Sequence, residues 1–189
     1  MQVNKVIERA EKFRTLSRFD KKSAIDYIND GLYEISKRQS IKLEESFYSF
    51  QVNPIRLANQ IVKVESIDFG TDELNKQYSA RVMQDNEVWI YRKDQNGKFV
   101  KISFDNEKVI DKIDFVYTGY RKITGSDQVI PFPPEFETSL VYFLRSKMLE
   151  EIAEFEASQY FETKFYQELR MKAAPKVDVV SQPSEYSLR

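Results

Sequence analysis

Four glutamates, Glu150, Glu151, Glu154 and Glu156, fall within one short segment of this 189-residue chain. On a helix, Glu150 and Glu154 share a face at i, i+4, the spacing at which two carboxylates could hold a hard cation such as Mg²⁺. Such a site needs two or more further oxygen ligands around the metal, and the sequence points to none. The acidic strip Glu150, Glu151 and Glu154 therefore reads as a solvated or interface-facing surface, suited to a basic patch on a neighbouring copy. A second cluster carries the opposite charge: Arg92, Lys93, Lys98 and Lys101 surround the single tryptophan, Trp89. Aromatic rings beside cations can stack nucleic-acid bases, yet Trp89, Tyr91, Phe99 and Phe104 sit where a strand puts its core or sheet face. Protein contact through Trp89, Tyr91, Arg92, Lys98 and Phe99 is the functional reading of this hairpin, because Trp, Tyr and Arg are the usual interface anchors.

The chain has neither cysteine nor histidine. That excludes disulfides, zinc-thiolate sites and Cys- or His-based nucleophiles, and it removes the commonest general base. Serine has no histidine to activate it, and the five glycines form no phosphate-cradling loop. Catalysis would fall to carboxylates, lysines, tyrosines or a carboxylate-bound metal, so the expectation is a protein that is not an enzyme and binds no cofactor. Twenty-nine basic against 30 acidic residues leave a net charge of −1, and no global attraction to nucleic acid or acidic membranes is expected. Charge is scattered through MQVNKVIERAEKFRTL, unlike a secretory leader. No window approaches the ~18 apolar residues of a membrane span. A soluble protein made in a cytoplasm is expected.

The segment that carries the acidic strip organises the rest. Pro131, Pro133 and Pro134 hold its entry extended, since each fixes φ and biases its predecessor away from the helical region. Pro134 suits the first helical position, where its missing N–H costs nothing. Phe136, Leu140, Phe143, Leu144, Met148, Ile152 and Phe155 then recur at three- and four-residue spacing, the period of a helix with one apolar face. A helix from 134 to about 155 would be roughly 30 Å long. Phe161, Phe165 and Leu169 carry the period on, with a break allowed near Ala157 and Ser158. These residues read first as core.

Upstream, Val3, Val6, Ile7, Ala10 and Phe13 predict a helix over 4–14. Ser17 as N-cap, with Asp20 returning to its amide, predicts a capping box that opens a second helix to about Arg38. Its apolar face is Ala24, Ile25, Ile28, Leu32 and Ile35. Gly31 within it costs ~1 kcal/mol relative to alanine, a cost that close approach of another helix would explain. The period then changes. Residues 46–52 predict a strand in which Tyr48, Phe50 and Val52 alternate against Ser49 and Gln51. Further strands are predicted at 60–69, at 78–83, at 87–92 and 98–104 joined by the Asn96-Gly97 turn, and at 113–123. Polar residues 70–76 predict an exposed loop.

Helices and strands that come in blocks, rather than alternating, indicate an α+β fold with an antiparallel sheet. The expected layout is N-terminal helices, a small antiparallel β-domain, a long C-terminal helix or helix pair, and an extended C-terminal tail. In residue numbers this is one domain over 1–174, helical at 1–40 and 130–174, with the β-domain 41–129 inserted between. Residues 175–189 have too little apolar surface to fold alone. They read as a docking tail, with Pro175, Val177, Val179, Val180, Pro183, Tyr186 and Leu188 against a partner and a reach on the order of 45 Å.

This order of elements, with IPFPPEFETSLVYFLRSKMLEEIAEFEASQYFETKFYQEL as proline entry and long helix, resembles the head-to-tail adaptor (connector or ring) proteins of short-tailed bacteriophages, including the crAss-like group. In that family N-terminal helices precede a β-domain, and a strand runs through a proline-containing entry into helices with an alanine, aromatic, phenylalanine, leucine pattern. The pattern maps here onto Ala157, Tyr160 or Phe161, Phe165 and Leu169. Residues 53–70, NPIRLANQIVKVESIDFG, resemble the family's approach to its first β-domain strand, with Leu57-Ala58 where Leu-Pro is common. The resemblance implies a self-associated ring, typically of about twelve copies, bound below the portal protein and above downstream tail or ring proteins. It implies a C-terminal extension laid against the portal or adjoining subunits, and DNA passing unread through the lumen. The implied place is the head–tail junction of the virion, after synthesis in the host bacterial cytoplasm, with no membrane involved.

Other classes stay open at this point. Another virion ring component, for head completion, tail tube or tail terminator, would share the logic and differ in its position in the particle. A host-side protein-binding module would form a specific complex without a ring. A carboxylate-metal enzyme such as a nuclease would depend on Glu150 and Glu154.

Overall fold

A computed structural model of the chain describes residues 1–12, 20–48, 54–84, 86–102 and 112–172. The architecture is α+β, and the chain divides into two compact units. One comprises Met1–Ile41 and the segment that begins at Tyr120; the other begins at Lys42 and ends at Gly119.

In the helical unit, α1 (Val3–Glu11) buries Val3, Val6, Ile7 and Ala10. Helix α2 (Lys21–Gln39) opens on Asp20, whose carboxylate accepts from the Lys22 and Ser23 amides at 3.3 Å each. Asp20 is thus itself the N-cap rather than the partner of a Ser17 cap, and Ser17, like Phe13, lies outside the described residues. Ala24, Ile28, Leu32 and Ile35 are buried. A left-handed Ser40 (φ 48°) closes the helix. The buried Asn29 side chain donates to the Ile123 carbonyl at 2.9 Å and accepts from the Ile123 amide at 2.8 Å, which ties the strand exit to α2.

The proline entry is held from outside as well as by its own φ angles. Val3 donates to the Gln128 carbonyl at 3.2 Å, and Ile130 donates to the Met1 carbonyl at 2.8 Å. Pro134–Phe136 forms a single 3₁₀ turn that leads into α4 (Glu137–Glu151). Helix α4 buries Ser139, Leu140, Val141, Phe143, Leu144, Ser146, Met148 and Leu149, positions spread around its circumference. A helix apolar on all sides belongs inside a core, and α4 packs against α1, α2 and α5 (Phe155–Met171). Gly31 makes one of these approaches close. A Cβ there would stand 2.6 Å from Leu140 Cδ1 and 3.0 Å from Phe143 Cδ1.

The long helix does not run unbroken to Phe155. It stops at Glu151, and Ala153 takes a left-handed conformation (φ 61°) while the Glu154 amide donates to the Leu149 carbonyl at 2.9 Å. Ile152 and Phe155, expected on the apolar stripe, are 48% and 59% exposed. The break allowed at Ala157 and Ser158 falls inside α5 instead. The reversal lets α5 return over α4 and cover it, with the Phe165 ring 5.0 Å from that of Phe143 and Phe161 6.0 Å from Tyr142.

In the β-unit, β1 (Lys42–Tyr48), β7 (Lys112–Tyr120) and β3 (Gln60–Asp68) form one sheet in the order β1-β7-β3. β2 (Ile55–Arg56), β4 (Tyr78–Gln84), β5 (Glu87–Lys93) and β6 (Phe99–Lys101) form the other. β4 pairs along one edge of β5, while β2 and β6 pair with opposite ends of its other edge. The two sheets share a core of Phe47, Ile55, Leu57, Phe69, Tyr78, Val88, Ile90, Ile102, Ile113, Phe115 and Tyr117.

Three expectations change here. The first strand begins at Lys42 and points Phe47 inward while Tyr48 is 64% exposed, so the predicted alternation is inverted where it is described; Phe50 and Val52 lie outside. Residues 70–76 are not simply a loop, because α3 (Asp72–Gln77) forms on a Thr71 cap whose hydroxyl accepts from the Leu74 amide at 3.2 Å. The last strand stops at Tyr120 rather than at 123.

Gly119 lies against the neighbouring strand: an added Cβ would overlap the Gln60 carbonyl oxygen and stand 2.9 Å from Tyr117 Cε2. Backbone cannot step aside as a side-chain tip can. Gly119→Ala is therefore expected to lower stability by about 1–3 kcal/mol in urea unfolding. Gly125→Ala, with only Gln128 Cγ within reach at 4.0 Å, should stay near wild type.

Candidate functional site

Trp89 and Tyr91 belong to β5, whose alternation puts Val88 and Ile90 in the core, both 0% exposed. Of the core or sheet face that the sequence left open, the intervening Trp89 and Tyr91 therefore take the outer sheet face, half-buried. Register collects the neighbours. Arg81 lies opposite Trp89 on β4, Lys101 opposite Tyr91 and Phe99 opposite Lys93 on β6, and Arg56 opposite Glu87 on β2. Residues directly opposite in an antiparallel pair share a face, so this outer face gathers Arg56, Arg81, Lys93, Lys101, Trp89, Tyr91 and Phe99.

Its cations lie over its rings. Lys101 Nζ is 2.9 Å from the Trp89 ring centroid, and the Arg81 guanidinium is 5.4 Å from that of Tyr91, both cation–π placements. Arg56 pairs with Glu87 at 2.8 Å; that carboxylate is the only acidic side chain among the residues just placed on the face. Of the five hairpin residues expected to act together, Trp89, Tyr91 and Phe99 share this face. Arg92, opposite Val100, points to the other side, and Lys98 sits in the turn, where its amide donates to Asp94 Oδ1 at 2.8 Å. Phe104 lies outside the described residues. Arg81 was missed because it comes from another strand, and register across strands leaves no mark in the hairpin's own sequence.

The acidic strip forms the corner between α4 and α5. Glu150, Glu151, Ile152, Glu154, Phe155 and Glu156 are all exposed. Because the helix ends at Glu151, Glu150 and Glu154 do not share a helical face, and the two-carboxylate geometry considered for Mg²⁺ is lost. No group of three or more carboxylates among the described residues is arranged to hold a metal ion. Glu150 pairs with Lys147 at 2.8 Å, a contact that raises the ammonium pKa against the opposing effect of burial. Glu151 accepts a hydrogen bond from the Tyr27 hydroxyl. That bond, then burial, pushes the phenol up to about 12, so its contribution to stability is complete below pH 10 and fades as pH climbs toward 12. Tyr27, Asp30, Lys147, Glu150 and Glu151 line a depression of about 390 Å³. Burial, and then repulsion from Asp26, raise the Asp30 carboxyl, with Lys147 opposing. Glu154 and Glu156, by contrast, have no ion pair among the described residues.

A third polar group is buried and was not singled out beforehand. Glu45 is 6% exposed on the inner side of β1. Its carboxylate accepts from the Tyr117 hydroxyl, from Asn59 Nδ2 at 2.9 Å and from the Ala58 amide at 3.0 Å. Burial, and then the adjacent carboxylate, hold the Tyr117 phenol far above its ordinary pKa. The cluster is closed on itself, with every donor satisfied, so it locks the β-unit and offers no open coordination. The available signal was parity, since Glu45 shares a strand face with Phe47. The tail residues Pro175, Val177, Val179, Val180, Pro183, Tyr186 and Leu188 lie outside the described residues.

In comparisons with known proteins, no family model matches the chain and no curated protein matches it significantly.

Because Trp89 is the only tryptophan, its fluorescence reports on the outer face alone. Lys101→Ala is expected to remove the cation from the ring and increase acrylamide quenching of Trp89 without changing the unfolding midpoint by more than about 0.5 kcal/mol. Unchanged quenching would show that Lys101 does not rest on Trp89.

Proposed function

We propose that this chain is a structural protein of a tailed-bacteriophage particle, a head-to-tail adaptor that forms a ring below the portal and links it to the tail while leaving a channel for DNA. The observation that carries the reading is the order of elements. The β-unit is inserted between α2 and a proline entry that leads into the α4–α5 helical hairpin, the order found in that family. The surface is consistent with side-by-side contacts. Ile152 and Phe155, at the turn between the last two helices, are 48% and 59% exposed, and neighbouring exposed apolar side chains suit a surface that a partner covers.

In this reading the chain's partners are its own copies, the portal and the downstream tail or ring proteins. The 175–189 tail docks on the portal or an adjoining subunit, and the DNA that passes the lumen is not read. The protein acts at the head–tail junction of the virion after synthesis in the host cytoplasm.

Quantitative mass spectrometry of purified particles tests the reading. A copy number near one per portal subunit is the expected outcome. Absence from particles would overturn it, and a large excess over the portal would make the chain a tail component instead. Deleting 175–189 is expected to abolish co-purification with the portal while cooperative unfolding is kept; retained co-purification would remove the tail from the docking role.

A further inference from the structure

Resting on the ring reading above, we infer that the outer face of the sheet formed by β2, β4, β5 and β6 is the seat for the α4–α5 corner of a second copy, so that the ring contact is head-to-tail between these two surfaces. The face presents Arg81, Lys93 and Lys101 around Trp89 and Phe99. The corner presents Glu154 and Glu156 around Ile152 and Phe155. Each surface lacks what the other supplies.

Charge is the first complement. Arg81 and Lys101 lie over aromatic rings, and Arg56 already has Glu87 at 2.8 Å. Glu154 and Glu156 are exposed without an ion pair among the described residues. Oppositely charged patches steer encounter and fix register. Apolar area is the second complement. Phe99 is 42% exposed among the cations, as Ile152 and Phe155 are among the carboxylates, and aromatic and aliphatic side chains ringed by charge are the usual composition of an interface centre and its rim. The contact joins two different surfaces, so it is heterologous, and a heterologous contact repeats from copy to copy until it closes into a ring or runs on as a filament. An internally neutral chain with segregated patches can therefore assemble without net attraction or repulsion between whole subunits. A single-stranded nucleic acid would also meet cations and rings on this face. The second copy is favoured because the chain itself carries a matching acidic and apolar surface.

A charge exchange tests the pairing. In the full-length chain, Arg81→Glu with Lys101→Glu makes the face acidic, and Glu154→Lys with Glu156→Lys makes the corner basic. Either variant alone sets like charges against each other at the substituted positions. Sedimentation velocity at low salt is expected to show wild-type self-association weakened about tenfold or more in each variant. An equimolar mixture of the two should regain it, because each then finds the other's complement. Circular dichroism checks that both variants are folded. Association of the wild type should also fall as salt is raised past a Debye length of about 3–8 Å.

A mixture no better associated than the separate variants, or a wild type that stays monomeric at the highest concentration reached, would overturn the inference. So would tight binding of a fluorescent oligothymidylate that quenches Trp89 and is lost in the acidic-face variant, since that assigns the face to nucleic acid. The ring reading is judged separately by particle copy number. A one-to-one ratio beside a failed charge exchange would leave the ring standing with a different contact.

Discussion

Burial of α4 on every side is the constraint on which the helical unit depends. A helix with apolar residues around its whole circumference cannot rest on one partner, so α1, α2 and α5 must each cover part of it. Close approach requires a small residue where helices meet, and Gly31 on α2 provides one against Leu140 and Phe143 of α4. Ser146 satisfies its own hydroxyl by donating to the Phe143 carbonyl at 2.7 Å, so a polar atom lies in the core without an unmet hydrogen bond. Arg145 extends the same economy to a helix end: its guanidinium donates to the Ala10 carbonyl at 3.2 Å, where α1 leaves carbonyls unsatisfied.

The β-unit solves a different problem. Its two sheets present alternating inner residues to a common core, and one of those inner positions is a glutamate. Removing a carboxylate from water is costly unless it is fully hydrogen-bonded. Glu45 meets that requirement through three donors from two other segments, so its cost is offset only when β1, β7 and the Ala58–Asn59 turn are all in place. Such a cluster favours one register over others, since a two-residue slip, which keeps Glu45 on the inner face, would leave the carboxylate buried without these partners.

What remains at the surface follows from these two solutions. Since Val88 and Ile90 fill the core, the rings between them turn outward, and β4 and β6 bring cations up beside them. Since α4 must be covered by α5, the chain reverses at Ala153, and the apolar stripe that began in the core ends in solvent at Ile152 and Phe155. The two exposed patches are by-products of packing, and their opposite charges make them suited to each other.

Much of this was legible from local pattern. The helical period of α1, α2, α4 and α5, the proline entry, the Asn96-Gly97 turn and the need for a close approach at Gly31 are all properties of short stretches, in which each residue's neighbours are its own chain neighbours. The sequence by itself therefore determined the fold class, the block order of helices and strands and most of the helical core. Tertiary structure decided where the long helix breaks, which face of β5 and β1 points inward, and that Arg81 joins Trp89. An apolar period of 3.6 continues through Ile152 and Phe155 whether or not the backbone turns, and alternation of two apolar sets on one strand does not say which set is buried. Those choices were made by partners distant in sequence, through the covering of α4 and the pairing of β5 with three other strands.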